Sequence, residues 1–454
     1  MQIKKIIVKE LDVKRYKALV GQSRNPDVSF FSKELAWYSN EDESIIGVLL
    51  LDITDNDYSV VILGRDEVGC FRAFDVTASI STKEAAKTWL EGTIKWHSSK
   101  ELKIFPQGDT STRVDLFTPI VKPEKQHLFF TRLIRDSAFS SARDIISEMM
   151  LHFVDVDGNF VEQFQSTGFD ARLWELYLNA YFVEESLFLK REYSAPDFLI
   201  QKYEKVVAVE AVIVGRKNDN PVRYFREYSG PQTPEEILKE NENSMPIKFG
   251  SPLFSKLQKK YWELDHVRGN PLIFAIADFH DDHSMLWSST ALTDYLYGFK
   301  YDFYYDENNQ LIITPLKIKT HKIGKKKIPS GYFFQPDSEN VSAILFSSSG
   351  TISKFNRMGK QAGFGDPKVY MFRVGSCYDH NPNASVPRIF KYKVDENCQE
   401  TWSEGLSMFH NPNALCPVPE ELFPSIAHHH FQDYQIASRL PEFYPYSSVT
   451  YLGK

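Results

Sequence analysis

The chain has 454 residues, 42% hydrophobic and 14% aromatic, enough apolar material for about two to four domains with real cores and too much for a disordered chain. A formal net charge of −7 removes any general attraction to polyanions, so contact with nucleic acid has to rest on local basic patches. Four cysteines without a CxxC pair take away the main support for zinc-ribbon and thioredoxin-like sites, and the lack of a signal-peptide core or a long apolar run predicts a cytoplasmic protein without membrane contact.

Residues 1–100 are read as a small α+β domain. Glu34–Tyr38, Ile45–Ile53, Tyr58–Leu63 and Cys70–Val76 are strands separated by short polar gaps, which suits an antiparallel meander. A helix over Thr82–Trp96 follows, capped by Ser81 or Thr82. This unit either recognises a substrate or partner or is a structural extension; it carries no catalytic constellation. Residues 101–130, polar and broken by Pro106, Pro119 and Pro123, form the linker. From Thr131 the apolar positions Ala138, Ala142, Ile145, Ile146, Met149 and Met150 fall at helical spacing, and Asp155–Gly158 is a turn.

The densest chemistry lies between Gly168 and Val214. Leu173, Trp174, Leu176, Tyr177, Leu178, Ala180, Tyr181 and Phe182 cover nearly every side of a helix opened by an Asp170 cap, so the helix is buried. Glu175 inside that girdle either pairs with Arg172 three residues back or faces a polar pocket. Pro196-Asp197 opens a short apolar strand, and Val206–Val214 is an apolar run with Glu210 in the middle of one face, the pattern of a strand covered on both sides. Asp197 and Glu210 on adjoining strands repel each other. A divalent cation bound by both resolves the conflict.

A helix carboxylate, then Pro-Asp on a strand, then Glu on the next strand thirteen residues later resembles the PD-(D/E)XK nuclease superfamily. The resemblance covers residues 131–300 and implies a restriction-endonuclease-like mixed sheet flanked by helices, with Asp197 and Glu210 holding Mg²⁺ (or Mn²⁺) and Glu175 assisting. It implies hydrolysis of DNA phosphodiester bonds, in defence or repair, with RNA as the other substrate. The family's lysine two positions after the Glu is Val212 here, so the ammonium has to come from elsewhere: Lys256 or Lys260, on the amphipathic helix expected over Ser251–Leu264. Gln258 and Tyr261 loosely match a glutamine-and-tyrosine motif of some members. A catalytically inactive nucleic-acid-binding or scaffold protein on the same fold is the alternative, and Val212 favours it. With the runs Asp278–Gly298, Ser349–Pro367 and Phe409–Ala414, the whole chain also resembles a group of bacterial proteins of unassigned function, a likeness that carries no mechanism.

Gly215–Ser244 is expected to be a loop over the site. Leu272–Ala277 is a further apolar strand, followed by Asp278, His280 and His283, which either form hydrogen-bonded turns or bind a metal such as zinc or manganese. A helix over Ser288–Tyr297, closed by Gly298, ends the expected core. Residues 301–454 are read as a β-rich extension packing on that core, with a hairpin at Tyr301–Tyr305 and Leu311–Leu316. The lysine-rich segment with Lys325, Lys326 and Lys327, and the Ser/Gly turn followed by Lys354, Arg357 and Lys360, are the candidate nucleic-acid contacts. HNPNA at His380–Ala384 and His410–Ala414 is read as two Asn-Pro turns, and the run His428–His430 is set aside because adjacent side chains diverge. A second copy of the chain or another protein is the remaining expected partner.

Overall fold

The computed structural model describes residues 6–108, 114–190, 192–216, 233–281 and 283–454. The first hundred residues form a five-stranded antiparallel sheet in chain order, Val8–Glu10, Ser32–Asn40, Ile45–Asp52, Tyr58–Arg65 and Phe71–Ile80. Thr82 caps the helix Lys83–Ser99 through the Ala85 amide, and Ala86, Leu90 and Ile94 cover Ile45, Leu49, Val60 and Ile62. The short first strand carries little apolar signal, and sequence reading passes over it.

The centre of the molecule is one mixed sheet of eight strands. Phe188–Lys190, Phe198–Lys202 and Lys205–Val214 run antiparallel in succession, and Leu272–Asp278 lies parallel to the last of these. Ala343–Ser347 is parallel to Leu272–Asp278, Leu406–His410 antiparallel to Ala343–Ser347, Ala427–Gln432 parallel to Leu406–His410, and Gln435–Arg439 closes the edge antiparallel. The inner strands are buried on both faces because their sequences are apolar at consecutive positions. On one face Val207, Val209, Ala275 and Leu345 meet the helix Phe169–Glu184; on the other Val212, Phe274, Ile276 and Ile344 meet the helices Met245–Leu257 and Ser289–Tyr297.

The chain is therefore mixed α/β, as expected, but the boundary placed at residue 300 gives way. Four strands beyond it extend the central sheet, so this region completes the core instead of covering it. The reason is local: Ala343–Ser347 is wholly buried and can satisfy its backbone and its apolar faces only between two other strands. The rest of that region supplies a three-stranded sheet (Tyr370–Cys377, Arg388–Lys393, Pro445–Gly453) and two hairpins, Phe299–Tyr305 with Leu311–Lys317 and Thr320–Ile323 with Lys326–Pro329. Among the described residues no helix is long and apolar enough to cross a membrane.

Candidate functional site

Register explains why Asp197 and Glu210 meet. Phe198 pairs with Val209 across the antiparallel ladder, so one step outward Asp197 stands opposite Glu210, where cross-strand side chains are neighbours. The Asp197 amide donates to Glu210 Oε2 at 3.3 Å, and the Ala211 amide donates to Asp197 Oδ2 at 2.7 Å. On its other side, His266 meets the Ala195 carbonyl at 2.8 Å and stacks against Tyr193, which fastens the segment leading into Asp197. Two carboxylates are thus fixed side by side where the strand leaves the sheet.

Glu210 is 4% exposed, and its Oε1 accepts from the Lys256 ammonium and, at 2.5 Å, from the Tyr261 hydroxyl. Lys256 enters from the last turn of the helix Met245–Leu257, one-quarter exposed, so its ammonium links the buried carboxylate to the solvent side. Burial first, then the Glu210 and Glu175 charges, push the Asp197 carboxyl up to about 8. Burial and the Glu210 contact likewise raise the Tyr261 phenol and keep it a donor.

The other anticipated residues separate clearly. The buried helix starts at Phe169, so Asp170 lies in its first turn, not at the cap, and pairs with Arg216 at 2.9 Å. Glu175 takes the simpler of its two expected forms, with both oxygens 2.9 Å from Arg172; it reaches Asp197 through its charge. Lys260 lies beyond the helix end in a left-handed conformation and faces Glu263 at 3.5 Å, so Lys256 is the lysine that joins the carboxylates. Asp278 and His280 pair at 2.6 Å, a turn-forming contact, and His283 does not join them in a three-donor cluster. Most of the expected covering loop, residues 217–232, lies outside the described residues.

The two basic patches diverge. Lys325, Lys326 and Lys327 are exposed on a hairpin docked against the Lys256 helix, with Lys326 donating to Ser251 at 2.7 Å. Ser251 is five residues from Lys256, about 7.5 Å along a helix axis. Lys354 and Arg357 correct the expected phosphate cradle. Both are buried, each 2.8 Å from Glu400, because the helix Ile352–Gln361 turns that face inward and the charges need an internal partner. Lys360 is half-buried, its ammonium 3.3 Å from the Asp366 carbonyl. Both HNPNA segments are the anticipated turns, the Asn381 and Asn411 side chains accepting from the amides two residues on.

Comparison with protein-family models, with curated proteins and with solved structures finds no match to this chain.

Proposed function

We propose that the protein is a metal-dependent nuclease with a restriction-endonuclease-like core, cutting phosphodiester bonds of DNA at Asp197 and Glu210. The observation that carries this reading is the convergence of the buried Glu210 carboxylate, the half-buried Asp197 carboxylate and one lysine ammonium beside the start of the strand Phe198–Lys202. The order of elements supports it: a buried helix, three antiparallel strands, a helix, then a strand parallel to the third. The pair suits Mg²⁺ or Mn²⁺, since both donors are hard carboxylates and a doubly charged ion offsets both the burial and the like-charge repulsion that raise Asp197. When bound, such an ion would polarise the phosphate and acidify a bound water.

The chain's own groups divide the remaining work. Asp197, fixed by the Ala211 amide, is held against relaxing away from Glu210. Lys256 stands in for the ammonium missing at Val212, whose side chain is packed in the core. It neutralises Glu210 and presents a donor on the solvent side, where a scissile phosphate would lie. The Lys325–Lys327 hairpin on the same helix offers sequence-independent contacts along the nucleic-acid backbone.

A catalytically inactive binding protein is the second reading. It is favoured by the existing Lys256–Glu210 pair, which already balances one of the two carboxylates. Incubation with plasmid, linear duplex and single strands, DNA and RNA, in Mg²⁺ or Mn²⁺ separates the two. Metal-dependent cleavage that disappears in Asp197→Asn and Lys256→Met supports the enzyme; retarded migration without cleavage supports the binding protein; neither result on any of these substrates rejects the nuclease.

A further inference from the structure

At the far edge of the central sheet, three elements bring together a set of donors chemically unlike the carboxylate pair. His410 ends the strand Leu406–His410, His430 lies on its parallel neighbour Ala427–Gln432, and Glu420 sits in the connection between them. One donor atom from each of His410, Glu420 and His430 lies within 4.8 Å of the other two. His430 Nε2 is 2.9 Å from Glu420 Oε1, and the His410 and His430 rings stack at 4.1 Å. Arg439 contacts the other carboxylate oxygen at 3.0 Å, which leaves Oε1 for the imidazoles.

His428, two residues before His430 and on the same face of the strand, adds an independent indication. Its Nε2 is 2.9 Å from the Phe423 carbonyl, which can only accept, so Nε2 carries the proton. In the neutral ring Nδ1 therefore presents a lone pair, 2.8 Å from His410 Nε2 and 3.9 Å from Glu420 Oε2. An imidazole fixed in one tautomer by an outer carbonyl is how metal-binding histidines are oriented.

We propose that His410, Glu420 and His430, with His428 beside them, bind one divalent transition ion of the zinc class. Imidazole with a single carboxylate suits that class, whereas Mg²⁺ selects oxygen donors. Ligands about 2.1 Å from a tetrahedral ion lie roughly 3.4 Å apart, so the His430–Glu420 and His410–His428 pairs, at 2.9 and 2.8 Å, open slightly while the wider separations, within 4.8 Å, close. The movable members permit this, Glu420 and His430 side chains being 38% and 44% exposed while His410 is buried. Such an ion replaces the proton shared by His410 and His428 and pins the connection to both strands it joins.

Chelator-stripped protein titrated with ZnCl₂ against a chromophoric competitor tests this independently of any nuclease activity. One equivalent of Zn²⁺ should bind, unchanged in Asp197→Asn and weakened at least about tenfold in His430→Ala and in Glu420→Gln, with X-ray absorption showing imidazole ligands. Both substitutions lie at half-exposed positions, and unchanged circular dichroism certifies the fold. No stoichiometric binding, or binding that survives both substitutions or is lost in Asp197→Asn, overturns the proposal.

Discussion

Replacing Asp197 by Asn gives a sharp test of the electrostatics at the carboxylate pair. Asparagine keeps the shape and can still accept from the Ala211 amide, so mainly the charge is removed. In the folded chain the Asp197 carboxyl is pushed up to about 8, above its ordinary value of 3.8. The folded state thus binds a proton more tightly than the unfolded state, and stability falls as pH rises between those values. From pH 5 to pH 8 the interval is about three pH units, an upper limit of roughly 4 kcal/mol; sharing of charge with Glu210 and Lys256 reduces this to about 2 kcal/mol. Hydrogen exchange of the amides of Lys205–Val214 reads the local stability in wild type and variant alike. The variant should gain about 2 kcal/mol relative to wild type between pH 5 and pH 8 in chelator. Saturating Mg²⁺, at about a hundred times its dissociation constant, should restore about 2.7 kcal/mol to the wild type at pH 8 and far less to the variant. A difference independent of pH, or equal stabilisation of both proteins by Mg²⁺, would refute the account of two carboxylates compressed beside each other.

Two other substitutions probe the basic groups. Glu400 holds Lys354, Arg357 and Arg373 in the interior, so Glu400→Gln should destabilise the fold by about 3–5 kcal/mol, seen as a large fall in the thermal midpoint; a neutral outcome would mean that water reaches those cations. Changing Lys325, Lys326 and Lys327 together to Ala should leave the midpoint nearly unchanged and lower the dependence of log affinity for duplex DNA on log salt concentration by up to about 2.7. An unchanged slope would remove that hairpin from the nucleic-acid interface.

The contrast between Lys354 and Lys325 shows where one-dimensional reading loses its grip. Both are lysines near glycine, and composition gives them the same solvated appearance. What separates them is that the helix Ile352–Gln361 packs against Ser140–Met150, Gly359 lying so close to Ser141 that a Cβ would come within 2.1 Å of its carbonyl oxygen. That contact turns Lys354 inward, where Glu400, more than forty residues away, receives it. Likewise, alternation along Val206–Val214 places Glu210 on a buried face, but only the helix Met245–Leu257 decides that Lys256 reaches it while Lys260, past the helix end, does not.

The histidines mark the same divide. Two-residue periodicity already puts His428 and His430 on one side of a strand, a signal present in the sequence, yet their partner His410 is named only by the pairing of parallel strands joined through Glu420. Local order thus determined the strongly apolar strands such as Ile45–Asp52, Lys205–Val214, Leu272–Asp278 and Ala343–Ser347, the buried helices, the Asn-Pro turns and the stranding of Asp197 and Glu210 among apolar neighbours, because hydrophobic period and backbone stereochemistry act over a few residues. Which charges face each other, and that the last third of the chain extends the central sheet, were decided by strand register and helix packing. Those depend on contacts between residues distant in the chain, which no local pattern encodes.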